Sequence, residues 1–375
     1  MQQKIIELNE VLDYQQPTPY IVKSTDYMES GDIPVLTAGK TFILGYTKEK
    51  KGIFTGPFPV IIFDDFTTAT KLVNFPFKVK SSAMKILLPK ANVDIKYIFY
   101  FLQTQKFSAE THKRYWISVC AKTKILLPPM SEQKRIVKKI EELFGVIDRD
   151  IQRLTDTLEQ LSQFRQSVLQ QAFSGKLYKT TNWLITTFGK SFISINPKIK
   201  IKTKNYLSNG DIPIIDQGED FISGYWNNKN DAIQISKPVL CFGDHTRRFK
   251  YVDFNFVVGA DGLKIFQPKD FEPKFGYYAA LALKFPNKGY ARHSVFLKKC
   301  KMYIPSLPEQ QKIVDEIEKA FHAADQVQKA VQNALEQAKQ LKQSILKRAF
   351  EGKLVPQAPN DKPVDLTQIK KDKHK

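Results

Sequence analysis

Through residues 131–173, apolar side chains recur at steps of three or four: Ile136, Ile140, Leu143, Ile147, Ile151, Leu154, Leu158, Leu161, Phe164 and Val168. Such spacing aligns them on one face of a helix, and its persistence over several heptads predicts a coiled-coil seam. The same steps return in residues 308–350, at Ile313, Ile317, Ala320, Ala324, Gln328, Val331, Leu335, Ala338, Leu341 and Ile345. Leu143, Ile147 and Leu161 answer Ala320, Ala324 and Ala338, so one seam is bulky where the other is small. That favours pairing of the two helices with each other over self-pairing. At a rise of 1.5 Å per residue each helix is a rod on the order of 60 Å long.

The helix ends carry their own signals. Pro128 and Pro129 close the preceding segment, and Ser131 is placed to cap the first helix. Ser306 and Glu309 have capping-box spacing at the second, Pro308 suits a first turn, and Gly175 and Gly352 suit left-handed C-terminal caps.

Outside the helices the apolar pattern is short and strand-like. Residues 59–63 and 238–242 are apolar runs suited to buried strands, and residues 71–77 and 250–256 alternate. These are one pattern written twice. A constant offset of about 179 carries residues 5–90 onto 184–269 without a gap, and Gly31-Asp32-Ile33-Pro34 returns as Gly210-Asp211-Ile212-Pro213. An offset of about 177 carries residues 131–137 onto 308–314 and 172–177 onto 349–354. A period this long is a duplicated domain, because solenoid repeats run nearer 20–50 residues.

The expected fold class is therefore α+β: two tandem mixed domains separated by two long antiparallel helices forming a coiled coil, pseudo-two-fold symmetric. The expected boundaries are 1–130 and 176–307 for the domains, 131–175 and 308–352 for the helices, and 353–375 for a basic tail. The domains are expected at the two ends of the rod, a symmetry shared with duplex DNA.

Charge sharpens the picture. The chain carries a net +20, of which about +7 falls in residues 13–130 and about +10 in residues 179–307, while the helical blocks come to about 0 and +1. Positive charge gathered in the two domains is the electrostatic footprint of a polyanion partner. The alternative is a generally basic, soluble surface. No apolar run reaches the roughly 18 residues of a membrane span, and the first residues lack the apolar segment of a secretory signal. Cys120, Cys241 and Cys300 lie far apart with no C-x-x-C pair, which suits a reducing cytoplasm and argues against a zinc site.

Catalytic motifs do not appear in the sequence. There is no phosphate-binding loop ending in Gly-Lys-Ser/Thr and no G-x-G-x-x-G. Pro128-Pro129 is followed by Met130 and lacks the aromatic-bearing tetrapeptide of adenine methyltransferases. Glu-x-Lys triplets at residues 49–51, 272–274 and 351–353 arise by chance in a chain this basic. The five His residues form no ligand pair, and His245 and His293 read as DNA-facing or surface residues.

Four phrases carry a family resemblance. They are Leu127-Pro128-Pro129-Met130-Ser131-Glu132-Gln133-Lys134, Ile304-Pro305-Ser306-Leu307-Pro308-Glu309-Gln310-Gln311, Gln171-Ala172-Phe173-Ser174-Gly175-Lys176-Leu177 and Arg348-Ala349-Phe350-Glu351-Gly352-Lys353-Leu354. With the tandem domains and long helices in this order, the whole chain resembles the specificity subunit of type I restriction–modification enzymes. The resemblance implies target-recognition domains that each read one half of a bipartite duplex DNA site, with an unread gap between. It implies two modification (methyltransferase) subunits as partners, and two restriction subunits in the complete complex, with no membrane partner. Chemistry would belong to those partners: adenine methylation from S-adenosylmethionine on a flipped-out base, and ATP- and Mg-dependent translocation and cleavage. This chain would hold no cofactor, no metal and no catalytic residue.

Comparison of the two copies nominates reading residues, since matched positions serve the scaffold and mismatched ones serve different half-sites. Thr67, Thr68 and Thr70, with Lys71 following, face Thr246, Arg247 and Arg248, with Lys250 following, between matched strands. An arginine there suits guanine or phosphate, and threonines suit smaller polar or thymine-methyl contacts. A second divergent patch sets Lys40 against Gln217 and Glu219, near Gly39 and Gly218; the pairs Gly45-Tyr46 and Gly224-Tyr225 suggest another turn. Tyr46, Tyr225 and Trp226 could stack or pack, with the core reading favoured. In a third patch the copies lose register, and Lys113, Arg114, Lys288 and Arg292 are placed as phosphate contacts. The competing classes are a coiled-coil adaptor whose basic domains bind RNA or protein, and a self-sufficient restriction enzyme, which the missing motifs oppose.

Overall fold

The computed structural model describes residues 4–37, 41–107, 115–174, 183–289, 291–356 and 358. The chain divides into two units, Met1–Arg153 with Ala334–Lys375, and Leu154–Asn333. Each unit thus combines a globular domain with part of both long helices.

In the first unit the order is β1 (Lys4–Glu7), α1 (Leu8–Val11), β2 (Leu12–Gln15), β3 (Ile33–Leu36), β4 (Ile43–Thr47), β5 (Val60–Asp64), β6 (Thr70–Val73), β7 (Lys78–Val79) and β8 (Met84–Pro89). Then come α2 (Ile95–Leu102), α3 (Tyr115–Ser118), β9 (Lys124–Leu127) and the long α4 (Met130–Phe173). An antiparallel sheet runs β2-β8-β5-β6, a mixed sheet runs β4-β3-β7, and β1 pairs with β9. The apolar run on β5 follows from burial on both faces. Ile61 and Phe63 join the core shared with α2, α3 and the long helices, while Val60 and Ile62 join the core with Leu36, Val79, Phe54 and Phe77. The expected strand over residues 71–77 is interrupted: β6 stops at Val73, and pairing resumes with the bridge of Phe77 to Phe54 just before β7.

The second unit repeats this plan. It contains β10 (Leu184–Thr187), α5 (Phe188–Ser191), β11 (Phe192–Ile195), β12 (Ile212–Ile215), β13 (Gly224–Trp226), β14 (Val239–Gly243), β15 (Phe249–Val252), β16 (Val257–Val258) and β17 (Leu263–Pro268). It continues with α6 (Pro273–Ala282), α7 (Ser294–Lys299), β18 (Lys301–Ile304) and α8 (Leu307–Phe350). Its sheets, β11-β17-β14-β15, β13-β12-β16 and β10-β18, have the order and sense of those in the first unit. The duplication read from the sequence is therefore a duplication of topology. Gly45 and Gly224 do not make the expected turn. Both lie in strands, where an added Cβ would come within 2.7 Å of the Tyr27 side chain and 2.8 Å of the Tyr206 side chain.

The long helices are fastened to each domain by the residues of the repeated phrases. Gln133, fully buried, accepts a hydrogen bond through Oε1 from the backbone N–H of Asp94 (2.8 Å) and donates through Nε2 to the carbonyls of Pro128 (2.9 Å) and Asn92 (3.2 Å). Gln310 accepts from Glu272 N–H (2.8 Å) and donates to Pro305 O (2.8 Å). Asp94 and Glu272 are the N-cap residues of α2 and α6, so each glutamine ties a long helix to the start of a short one. Ion pairs Lys96–Glu141 and Lys274–Glu318, both at 2.7 Å, repeat the attachment. The helix exits do the same: Phe350 packs on Tyr97 and Phe101, and Phe173 packs on Phe275.

Within each unit the two helix segments run antiparallel. In the first, Lys342 pairs with Asp148 and lies 4.7 Å from the Phe144 ring centroid. In the second, Arg165 pairs with Asp325 at 2.5 Å and lies 6.0 Å from the Phe321 ring centroid. The offset of 177 carries Asp148 onto Asp325, Phe144 onto Phe321 and Arg165 onto Lys342. This revises the expected seam. Leu341 is 52% exposed and Phe164 45% exposed, because the inward positions beside them are taken by Lys342 and Arg165. Of the other expected seam residues, Ile136, Ile140, Ile147, Ile313, Ile317, Val331 and Ile345 are buried, and Leu154, Leu158, Leu161 and Leu335 are half-buried. Leu143, Ile147 and Ile151 share a cluster with Ala338, so bulk does meet a small residue there.

Two cap assignments also resolve. Ser131 lies inside α4, where the N–H of Gln133 already bonds Pro129 O at 2.9 Å, so it is not the cap residue. Ser306 is the cap of α8: its carbonyl accepts from Glu309 and Gln310, and Glu309 Oε2 accepts from Ser306 N–H at 3.1 Å. Gly352 is left-handed, with φ 71°, as expected of a C-terminal cap. Gly175 falls outside the described residues.

Candidate nucleic-acid interface

The hairpin β14–β15 turns through Asp244, His245, Thr246, Arg247 and Arg248. Asp244 is buried beneath it: its backbone carbonyl accepts from His293 N–H (3.0 Å), and its Oδ1 accepts from Ser294 N–H (2.7 Å). His293 is fully buried, which overturns its reading as a surface or DNA-facing residue. Its Nδ1 lies 2.9 Å from the Asp244 carbonyl and its Nε2 accepts from Lys288 N–H at 3.2 Å, an arrangement that fixes the Nδ1–H tautomer. The third divergent patch, with Lys288 and Arg292 both exposed, is thereby tied to the hairpin.

The second patch is tied to it as well. Thr246 Oγ1 donates to Gln217 O (2.8 Å), His245 N–H donates to Gln217 Oε1 (3.3 Å), and Gln217 Nε2 donates to Asp261 O (3.1 Å). Three segments chosen for sequence divergence therefore converge on one tip. At that tip Arg247 has φ 61°, its guanidinium lies 4.9 Å from the Phe285 ring centroid, and one Nη2 hydrogen goes to Phe285 O at 3.2 Å. Its Nε is buried with no hydrogen-bond partner among the described residues. Positive φ on a non-glycine residue and an unsatisfied donor each cost on the order of 1 kcal/mol or more. Arg247 is half-buried, and a guanidinium is a planar fork whose geometry matches guanine or phosphate. Arg248 is exposed and pairs with the still more exposed Glu219 at 3.2 Å.

Lys250 belongs elsewhere. It is buried, its amine donates to Asp220 O at 2.5 Å and lies 4.0 Å from Asp216, and burial lowers its pKa despite those partners. A strut of this kind holds the loop at residues 216–220 against β15 and presents no charge to solvent. Gln217, engaged at both ends of its amide, is likewise a brace in this conformation.

The first unit builds the same tip from different residues. Asp65 is buried, accepts from Trp116 N–H through Oδ1 (2.8 Å) and from Tyr115 N–H through its carbonyl (3.1 Å), and faces Lys85 at 3.4 Å. Offset by 179 it is Asp244, so one aspartate anchors each hairpin. Thr68 has φ 59°, matching Arg247. Thr67 is exposed and Thr68 half-buried. Thr70 is half-buried within β6 and its Oγ1 accepts from Gln103. Lys71 is half-buried, with its amine 5.8 Å from the Phe42 ring centroid. Lys40, Lys113 and Arg114 lie outside the described residues. Tyr46, Tyr225 and Trp226 are half-buried, and Trp226 Nε1 donates to Asp231 at 2.8 Å.

Sequence comparison passed over Asp65 and Asp244, whose identity inside largely mismatched loops was the available signal. It also passed over Phe66, exposed on the first tip, and Phe285, which braces Arg247.

Paired α+β domains with divergent hairpin tips on matched scaffolds, each fastened to segments of two long helices, define a tandem sequence-specificity fold. The chain belongs to the family of the type I restriction modification DNA specificity domain, whose model matches residues 2–160 and 188–337. Over 240 residues it is 37% identical to the EcoR124I/EcoR124II specificity subunit of Escherichia coli, covering 58% of each chain. Over 286 residues it is 28% identical to the EcoBI specificity subunit of Escherichia coli, covering 63% of this chain and 59% of that one. Both matches span less than two thirds of the relatives' own length. A solved chain, described as the structural basis underlying complex assembly and conformational transition of the type I R-M system, superposes with a TM-score of 0.67 at 17% identity. It covers 94% of this chain and 98% of that one, and the likeness shows the fold. Among the described residues, no helix is long and apolar enough to cross a membrane.

Proposed function

We propose that this chain is the DNA-sequence-reading subunit of a type I restriction–modification complex, each domain reading one half of a bipartite duplex target. The observation that carries this reading is the convergence of three divergent segments on one anchored hairpin, through Asp244–His293, Gln217–Thr246 and Arg247–Phe285. A scaffold that repeats while its tip changes chemistry suits recognition of two different half-sites. Arg247, Arg248 and the threonines Thr67, Thr68 and Thr246 are assigned to base or near-base contacts, and Lys288 and Arg292 to phosphates.

In this reading the chain performs no bond chemistry. Two modification subunits bind the methyl donor S-adenosylmethionine and modify adenine, and two restriction subunits bind ATP and Mg and cleave unmodified DNA. The site of action is cytoplasmic. Competition gel shifts test the reading, using the chain assembled with its modification subunits. One bipartite duplex outcompeting scrambled duplexes and RNA is the expected result. Equal binding to every duplex, or preference for RNA, would sink it and favour the adaptor alternative.

A further inference from the structure

Phe66 stands on the tip of the β5–β6 hairpin and is 47% exposed, although a side chain of this size usually fills a core. It belongs to neither apolar cluster of its domain. The backbone beneath it is pinned from both sides. Asp64 Oδ1 accepts from the N–H groups of Phe66 (2.9 Å) and Thr67 (2.8 Å), and Asp64 O accepts from Thr68 N–H (2.9 Å). Next to it, Asp65 is locked into the interior by Trp116 and Lys85. The ring is therefore held out on a rigid tip, and a β-branched residue is kept at φ 59° two positions later to make that tip. At the matching place in the second domain, offset by 179, stands His245.

We infer that Phe66 is a specificity-determining residue of the first domain, which reads a thymine through its 5-methyl group in the major groove. This rests on the DNA-reading function proposed above. A phenyl ring can neither donate nor accept a conventional hydrogen bond, so it cannot grip a phosphate or the polar edge of a base. The feature of the major-groove code open to a hydrocarbon is the thymine methyl. Thr67, exposed beside it, adds a second methyl and a hydroxyl. The two domains thus carry an exposed phenylalanine and a half-buried histidine at one position of a shared scaffold, a difference suited to different half-sites.

The test uses the chain assembled with its modification subunits and a duplex carrying the target found by mapping methylated adenines. Each thymine in turn is replaced by deoxyuridine, which lacks only the methyl group. At one thymine, wild-type affinity falls about fourfold, the equivalent of exposing one methyl-sized apolar group. Phe66→Ala binds the unmodified target with that loss already taken and shows no further loss at that position, whereas Phe66→Leu keeps part of the discrimination. Both variants melt and assemble as the wild type does, because the ring lies outside the cores. Four outcomes overturn the inference: no thymine is sensitive; Phe66→Ala keeps the wild-type sensitivity; it weakens thymine and deoxyuridine duplexes alike, as a wedge between bases would; or it fails only in assembly. If the wild type does not select the target over scrambled duplexes, the DNA-reading function itself fails, a result separate from these four.

Discussion

The side-chain carbonyl of Gln133 accepts a hydrogen bond at 2.8 Å from the backbone N–H of Asp94, the residue that caps α2. One buried amide thereby joins the first turn of a long helix to the first turn of a short one, and Gln310 does the same with Glu272. The glutamine of the repeated helix-entry phrase is thus a fastening between helix and domain.

Gln133→Ala leaves the N–H of Asp94 and two carbonyls without their partner in a buried place. Lost and unsatisfied bonds of this sort cost about 2–4 kcal/mol together. Denaturant unfolding should show that loss, and Gln310→Ala a similar one. A loss under about 0.5 kcal/mol, the scale of ordinary surface substitutions, would contradict a buried clamp.

The cross-helix pairs Asp148–Lys342 and Arg165–Asp325 are partly exposed, so each contributes little alone. Double-mutant cycles should give a coupling of about 0.5–1 kcal/mol for each. Asp148→Lys with Lys342→Asp should recover stability lost by Asp148→Lys. Additive losses without recovery would contradict the pairing.

Glu49 supplies a pH signature. The Lys78 amine, helped by the N–H groups of Ser24 and Lys23, lowers its pKa from 4.5 to about 2. The folded pKa is the lower one, so the unfolded chain takes up the proton more readily. The contribution is present above the ordinary carboxylate range and is lost as pH falls from 4.5 towards about 2. Glu49→Gln should cost about 1–2 kcal/mol at neutral pH, a figure discounted for solvent contact, and flatten the acid limb of the stability profile. An unchanged acid limb would contradict this.

Arg247→Ala should reduce affinity for the specific duplex by about 10- to 100-fold, the worth of a bidentate base contact, with a much smaller effect on scrambled DNA. Arg292→Ala should instead weaken binding to all duplexes and lower the slope of log affinity against log salt by about 1. Equal effects of the two variants on both classes of duplex would contradict these roles.

Much of this architecture is legible in the sequence, because periodicity and internal repetition report it directly. The buried runs of β5 and β14, the extents of α4 and α8 and the cap at Ser306 all follow from local pattern. What the pattern missed depends on partners distant in sequence. Leu341 fits the heptad step, yet Lys342 takes the inward place because Phe144 and Asp148 receive its stem and charge. Lys250 resembles its basic neighbours, yet Asp216 and Asp220 draw it inside. His293 reads as a surface residue until Asp244 appears beneath it. The mismatched loops of the second domain meet one another in the fold, but which of their side chains are struts and which are exposed is a tertiary property.

The most direct test of the account is a map of methylated adenines in cells expressing this chain with its modification subunits. It should be compared with a chain in which residues 244–248 are replaced by the sequence of residues 65–69. The account predicts one bipartite motif for the native chain and a change confined to one half of it after the exchange. Methylation without a bipartite motif, or an exchange that alters both halves, would contradict it.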